Sequence, residues 1–302
     1  MNFDNKNQKD EKMVLQPFHH FNYLRDANHF MTKIWMAYNH WFQVPKDKFK
    51  EISTLGIKLE AAIVVMDDLV DNSVLRARIP TSHLVYGRSR TIYSTIFGTI
   101  SALTKFDDPK VMDVFIAMGA KLCHGQAVEM YFAKNGICPT EDEYQKIVFN
   151  KTTSVLSLSL TVQQIFATRL KGVNFEPFQE RIGLFFQICN DYISLGSRKY
   201  AELKVFGDDI TEGVFTFPMI HGIRARPEDH RLMDILKQRT SDYEVKVRFV
   251  KLLEEFGSLD YTLRSLKKLK SECVEEMKKI AVNPEVEKIL DDALNYMEDV
   301  VM

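Results

Sequence analysis

Residues 64–71 read VVMDDLVD, and this segment decides how the rest of the chain is interpreted. The apolar run Ala61–Met66 leads directly into three aspartates, Asp67, Asp68 and Asp71. Asp67 and Asp71 are four residues apart and share one helical face, with Asp68 beside them. Adjacent carboxylates repel one another unless a cation lies between them, and hard oxygen ligands that leave room for water and phosphate suit Mg²⁺. The alternative is a solvated acidic helix end, which the neighbouring apolar face disfavours.

A second segment, FFQICNDYIS at 185–194, repeats this design. An apolar helix again leads into oxygen ligands, because Asn190 and Ser194 share a face at a spacing of four and Asp191 lies next to them. Two such helices facing each other would bind a metal–diphosphate group. Taken alone the second motif is weak, since Asn-Asp pairs end many helices.

The bulk properties exclude several classes of protein. The chain has 302 residues, of which 45% are hydrophobic and 27% charged, as in an ordinary folded domain. A net charge of −1 gives no electrostatic footprint for nucleic acid or an anionic membrane. The apolar runs are too short to span a bilayer, and the polar N-terminus lacks the apolar region of a secretory signal. Four cysteines without metal-ligand spacing indicate a reducing, cytoplasmic location.

Helix signals dominate the rest of the chain. Asp108-Pro109 predicts a helix start, followed by the long apolar-periodic run Val111–Met130. Thr140 to Glu143 and Ser241 to Glu244 both fit capping boxes, and Asn283-Pro284 predicts the start of a final helix. No alternating β-branched run is long enough for a sheet. We therefore expect an all-α protein of about ten helices or more, in a single domain over 1–302 whose first 13 residues are flexible.

These motifs carry a family resemblance. Asp67-Asp68-x-x-Asp71 followed by Asn72-Ser73-x-Leu75-Arg76 resembles the first aspartate-rich motif of the trans-isoprenyl diphosphate synthases. Further matches follow in the family's order at Gly125-Gln126-x-x-Glu129, Lys151-Thr152, Phe185-Phe186-Gln187 and Lys204-x-x-x-Asp208-Asp209-x-x-Glu212-Gly213. The similarity runs from about Leu15 to the C-terminus and points to the short geranylgeranyl diphosphate synthases of animals and fungi. It implies an all-α isoprenoid synthase bundle around a central cavity, three Mg²⁺ ions with Mn²⁺ as an alternative metal, and a homodimer.

The chain departs from this family wherever the second substrate, isopentenyl diphosphate, would bind. The family's Gly-Lys-x-x-Arg segment aligns with Ala27-Asn28-His29-Phe30-Met31, so both of its cations are absent. The family's histidine ahead of the first motif is Glu60, and the second arginine of its Arg-Arg pair is Ala77. At about 1.5–3 kcal/mol for each charge-assisted contact, these losses weaken diphosphate binding by several kcal/mol.

The positions that bind the allylic substrate are largely retained. By the resemblance, one group of side chains is catalytic, a second binds substrate and a third binds metal. The catalytic group is Asp67, Asp68, Asp71, Asn190 and Asp191; the substrate-binding group is Arg76, Lys151, Thr152, Gln187 and Lys204; the metal ligands are Asp67, Asp71, Asn190 and Ser194. Asn190 replaces the leading aspartate of the family's second motif. Asn190-Asp191-x-x-Ser194 also resembles the metal triad of terpene synthases, although Arg198 stands where that triad has a glutamate.

Retention of the ionising positions and loss of the condensing ones indicate a Mg²⁺-dependent terpene synthase, a carbon–oxygen lyase acting on an allylic isoprenyl diphosphate. Met66 and Tyr93 favour geranyl diphosphate over the farnesyl and geranylgeranyl substrates, because bulk at these positions would shorten the cavity. Two alternatives stay open. One is a non-catalytic or regulatory subunit of a prenyl diphosphate synthase, and the other is a residual geranylgeranyl diphosphate synthase.

Overall fold

The helical pattern predicted from the sequence is present in a computed structural model that describes residues 3–20, 30–76, 79–104, 106, 108–196 and 206–300. Almost all regular structure in these ranges is α-helix, which confirms the all-α prediction. The first part of the chain contains α1 Phe3–Val14, α2 Phe30–Phe42, α3 Lys46–Val70, β1 Leu75–Arg76, β2 Ile79–Pro80, α4 Ser82–Tyr86, α5 Arg88–Thr104 and α6 Pro109–Asn135. None of the helices in these ranges combines the length and apolarity that a bilayer crossing requires.

After Asn135, all the regular structure in the described residues is helical. It contains α7 Glu141–Val148, a π-helical segment Phe149–Thr153, α8 Ser154–Ile165, α9 Glu176–Gly196, α10 Asp208–Glu212, α11 Phe217–Ala225, α12 Arg231–Gln238, α13 Tyr243–Glu255, α14 Ser258–Ile280 and α15 Pro284–Val300. The π-helical segment follows α7 without a break. Such π-helical insertions are rare and are frequent at functional sites.

Local capping explains most of the helix boundaries. Asp108 Oδ1 accepts a hydrogen bond of 3.0 Å from the backbone N–H of Lys110 at the start of α6, as predicted. Thr140 forms the reciprocal capping box with Glu143 at the start of α7. The predicted box beginning at Ser241 is wrong, because the residue that caps α13 is Asp242, whose carboxylate accepts from two backbone N–H groups of the first turn. A carboxylate is the stronger partner for the positive end of the helix dipole.

The described chain divides into two units. The first comprises Met1–Val114 with Ser159–Lys171, and the second comprises Phe115–Leu158 with Gly172–Met302. In the first unit, α3 packs against α2, α4 and α5. The segment expected to be flexible, residues 1–13, includes most of α1. That the whole chain acts as a single domain stays a prediction.

In the second unit, α9 is the central helix. It packs against α14, α15 and the π-helical segment. One face of α9 is fully buried because its apolar residues recur at helical spacing, namely Phe178, Ile182, Phe185, Ile188 and Tyr192. This packing fixes the register of the opposite face, which carries Gln187 and the residues of the second motif.

Candidate active site

The first aspartate cluster, Asp67, Asp68 and Asp71, lies at the C-terminal end of α3. Asp68 is buried, whereas the side chain of Asp67 is 30% exposed. Asp71 follows the last residue of α3, and its backbone N–H donates to the carbonyl oxygen of Asp67 at 2.9 Å. The three carboxylates are therefore held on one helix end, as the sequence predicts.

Arg76 is brought back onto this cluster by a short hairpin. β1 and β2 are antiparallel, and Arg76 is paired with Ile79. Its Nε donates to Asp68 Oδ1 at 2.9 Å, and its Nη2 lies 2.5 Å from the same oxygen and 3.5 Å from Asp67 Oδ2. Arg76 thus binds two members of the cluster. Since Asp68 is buried against this guanidinium, its carboxylate has a structural role, and its catalytic role stays a prediction.

The carboxylate oxygens of the first aspartate cluster are of the type that binds Mg²⁺ together with a substrate. Within the described ranges, no group of three or more His, Cys, Asp or Glu side chains is arranged to hold a metal ion by itself. Asp67 and Asp71 nevertheless present hard carboxylate oxygens about one helical turn apart. Mg²⁺ commonly binds proteins through one or two carboxylates while substrate phosphates and waters complete its six ligands. A site of this kind forms fully only when the substrate is present.

Lys151 lies in the π-helical segment and is paired with Glu129 of α6. The distance from Lys151 Nζ to Glu129 Oε2 is 2.6 Å, and both side chains are about one-fifth exposed. Gly125 of α6 allows this helix to approach the π-helical segment closely. A Cβ at this position would lie 2.9 Å from both Asn150 Cβ and the backbone nitrogen of Lys151. To bind a diphosphate, Lys151 would have to exchange the carboxylate of Glu129 for phosphate oxygens.

Asp191 is the centre of a buried hydrogen-bond network. Its Oδ2 accepts from Tyr144 Oη at 2.6 Å and from the backbone N–H of Phe217 at 2.9 Å. Its Oδ1 accepts from Gln187 Nε2 at 2.7 Å. Gln187 Oε1 in turn accepts from the hydroxyl of Thr152. We call these five residues the Asp191 network. It joins three of the predicted site residues, Thr152, Gln187 and Asp191, and fixes the orientation of the Gln187 amide.

The environment of Asp191 sets its protonation. Burial, together with the nearby negative charge of Asp209, raises the pKa of the Asp191 carboxyl to about 7. The hydrogen bonds from Tyr144, Phe217 and Gln187 oppose this shift because they stabilise the charged form. Asp191 is only 4% exposed, so its carboxylate is buried and serves to orient the groups that donate hydrogen bonds to it.

Asn190 and Ser194 lie on the outer side of this network. Asn190 is exposed, and Ser194 is half-buried. The Ser194 hydroxyl contacts the carboxylate of Asp209, which belongs to α10, and also the backbone oxygen of Asp191 at 2.9 Å. The structure therefore brings a carboxylate to Ser194 from a different helix. Arg198, which occupies the sequence position of the triad's glutamate, lies outside the described residues, as does Lys204.

The structure describes two of the positions at which the family binds isopentenyl diphosphate, Met31 and Glu60. Met31, on α2, is a core residue that is only 8% exposed. Glu60 lies on α3, seven residues before Asp67 and therefore on the same helical face as the first aspartate cluster. Ala27, Asn28, His29 and Ala77 fall outside the described residues. At the two positions that are described, the chain offers an apolar side chain and a carboxylate.

Sequence reasoning did not single out Tyr144, Arg88 or Lys246. Tyr144 lies in a stripe of buried apolar residues, and a hydroxyl in such a stripe requires a buried acceptor, which is the signal that could have paired it with Asp191. Lys246 is buried, and its Nζ donates to the carbonyl of Phe206 at 2.8 Å, just ahead of the acidic helix α10. No sequence pattern identifies that contact.

Tyr93 does not have the position that the sequence suggested. It is 73% exposed on α5, so it does not line the interior of the described chain. Its neighbours Ile96, Phe97 and Ile100 are exposed as well, at helical spacing. The argument from Tyr93 for a shortened cavity therefore loses its support.

Comparison with known proteins identifies the family. The polyprenyl synthetase family matches residues 18–253. A terpene synthase of Matsumurasca onukii is 36% identical over 297 residues, which cover 97% of each chain. A geranylgeranyl pyrophosphate synthase of Penicillium paxilli is 38% identical over 267 residues, covering 86% of this chain and 71% of that protein. The chain belongs to the polyprenyl synthetase family.

Proposed function

We propose that the protein is a Mg²⁺-dependent terpene synthase that converts an allylic isoprenyl diphosphate into a terpene olefin and diphosphate. The observation that carries this proposal is the state of the second-substrate positions. Met31 is packed into the core and Glu60 shares a helical face with the first aspartate cluster, so neither offers a cation to isopentenyl diphosphate. The similarity to a terpene synthase over 97% of both chains supports the same function.

The proposed reaction breaks the bond between the allylic carbon and the diphosphate oxygen, and the electron pair of that bond leaves with the diphosphate. By the family resemblance, the cations that would stabilise the negative charge developing on this leaving group are Arg76 and Lys151. The same resemblance makes Asp67, Asp71, Asn190 and Ser194 the residues that would hold Mg²⁺, whose positive charge would also favour departure of the diphosphate. The allylic cation then loses a proton to the released diphosphate, which gives the olefin without a second substrate.

A product assay tests the proposal. The purified protein receives Mg²⁺ and geranyl, farnesyl or geranylgeranyl diphosphate, each with and without isopentenyl diphosphate, and the products are identified by mass spectrometry. A hydrocarbon formed from one allylic diphosphate alone is the expected result, with geranyl diphosphate as the favoured substrate because Met66 lies half-buried next to Asp67. Longer diphosphates that appear only with isopentenyl diphosphate would instead establish a geranylgeranyl diphosphate synthase. That alternative has its own support in the 38% identity to such an enzyme.

Restoring the missing cations provides the matching gain-of-function test. Reversion at Met31 is a poor choice, because Met31→Arg would place a guanidinium in the core and unfold the chain. Glu60→His combined with Ala77→Arg restores two of the groups that the family carries and leaves Met31 unchanged. We expect the double variant to gain measurable condensation with isopentenyl diphosphate, and absence of any gain would count against our interpretation of these positions.

A homodimer in the cytoplasm completes the proposal. The buried face of α5 carries small and polar side chains, whereas Tyr93, Ile96, Phe97 and Ile100 form an exposed apolar stripe. Such a stripe fits an interface, and the family resemblance makes a second copy its expected occupant. Light scattering should give the dimer mass for the native protein and the monomer mass for Ile96→Glu. A monomeric native protein would refute the proposed homodimer.

The proposed cytoplasmic location rests on the cysteines. All four cysteines are free, which suits a reducing location.

A further inference from the structure

The end of α3 is an unfavourable place for three carboxylates. The C-terminus of a helix carries the negative end of its dipole, and acidic side chains there are repelled by it. Asp67 and Asp68 nevertheless lie in the last turn of α3, Asp71 follows it, and that turn contains no basic residue. Cations from elsewhere in the chain must therefore stabilise this end. Arg76 does so through the carboxylates of Asp67 and Asp68.

Arg88, the first residue of α5, contacts the same helix end through different atoms. Its Nη2 donates to the carbonyl oxygen of Leu69 at 3.0 Å, and its Nη1 donates to Asn72 Oδ1 at 3.1 Å. Asn72 has a φ of 58°, in the left-handed region that residues other than glycine adopt at a cost. The two contacts lie on either side of Asp71 in the sequence. One guanidinium therefore caps a C-terminal carbonyl and also holds the left-handed residue that ends the helix.

We propose that Arg88 is a positioning residue, which fixes the carboxylate of Asp71 relative to that of Asp67 so that both can bind the same metal ion. This inference rests on the proposed function only for the identity of the metal. Arg88 acts on the backbone at Leu69 and on the side chain of Asn72, whereas Arg76 acts on the aspartates themselves. The two arginines thus have different roles. Arg76 neutralises carboxylates, and Arg88 sets the backbone geometry of the segment that carries them.

The matched variants are Arg88→Ala and Arg90→Ala. Arg90 lies on the same helix and is also exposed, but its Nη2 donates to the carbonyl of Met13 and to Gln16 Oε1, away from the cluster. Loss of an outer-shell partner typically lowers metal affinity by about 10- to 100-fold, and because Arg88 is exposed we expect the lower end, about tenfold. Arg90→Ala should stay within about twofold of the native protein. The measurement is calorimetric titration of Mg²⁺ in the presence of inorganic diphosphate.

A second readout is independent of metal and of activity. The backbone N–H groups of Asp71 and Ser73 donate to the carbonyls of Asp67 and Asp68. If Arg88 holds this turn, hydrogen exchange of these two amides should become about tenfold faster in Arg88→Ala and be unchanged in Arg90→Ala. Adding Asn72→Gly to Arg88→Ala should recover part of the metal affinity, because glycine adopts positive φ without strain.

The outcomes separate the two proposals. If the native protein forms no terpene, the proposed function fails, but the exchange and calorimetric measurements still test Arg88. The inference is overturned if Arg88→Ala and Arg90→Ala behave alike in both measurements. It is also overturned if Arg88→Ala accelerates exchange without changing Mg²⁺ affinity, because the arginine would then stabilise the turn without positioning a ligand.

Discussion

Removing the hydroxyl of Tyr144 tests whether the Asp191 network holds the second motif in place. Tyr144 Oη donates to Asp191 Oδ2 at 2.6 Å, and both side chains are buried. Above the Asp191 pKa of about 7, a hydrogen bond to its charged carboxylate contributes about 1.5–3 kcal/mol, and phenylalanine preserves the packing of the ring against Phe217. We therefore expect Tyr144→Phe to lower the free energy of unfolding by about 1.5–3 kcal/mol. For a domain of about 150–250 residues this corresponds to a fall in melting temperature of about 3–12 °C.

Tyr261→Phe is the matched control. Tyr261 Oη also donates to a carboxylate, Glu141 Oε2 at 3.0 Å, but this pair is only half-buried. Water can replace the lost partner there, so the loss should stay below about 1 kcal/mol. Thermal unfolding followed by circular dichroism measures both variants under one set of conditions. Equal losses in the two variants would refute the conclusion that Asp191 organises a buried network.

Two further predictions concern the backbone and the first unit. Gly125→Ala should lower stability by about 1–3 kcal/mol in denaturant titration, because its Cβ would meet the backbone nitrogen of Lys151. Gly119→Ala on the same helix meets nothing within 4 Å and should not destabilise. The pKa of His83 is lowered by burial and secondarily by Arg88, so its contribution to stability is lost as the pH falls below the ordinary value of about 6.5. NMR titration of Arg88→Ala should show the pKa of His83 raised, and an unchanged value would contradict the position of the guanidinium.

The helices could be predicted from the sequence because their signals are local. Periodic apolar residues and caps such as Asp108 act within one or two turns, and the structure uses them as expected. The error at Ser241 has the same origin, since adjacent Ser241 and Asp242 are both favoured N-cap residues and only the backbone geometry decides which one caps α13. The π-helical segment at Phe149–Thr153 had no such signal. Its geometry depends on tertiary contacts, including the close approach of Gly125.

The site was only partly predictable, for a related reason. Oxygen-rich motifs such as the first aspartate cluster are visible as residue types at a fixed spacing. The partners that orient them are distant in the sequence, as with Tyr144 and Asp191, which are 47 residues apart. Arg88 is also distant from the cluster, since it lies 19 residues after Leu69. Burial decides whether a carboxylate faces solvent or donors within the protein, and burial is a property of the folded chain.

The contacts also change which retained residues can separate an enzyme from a non-catalytic subunit. Asp68 and Arg76 are bound to each other, and Thr152, Gln187 and Asp191 form one network, so a folded chain without activity would have a structural reason to keep all five. Their retention therefore says less about catalysis than the sequence suggests. Asp67 is 30% exposed and lies 3.5 Å from Arg76, compared with 2.5 Å for the buried Asp68, and Asp71 is half-buried beyond the last residue of α3. Variants at these two positions separate chemistry from folding, whereas Asp68→Ala would confound them.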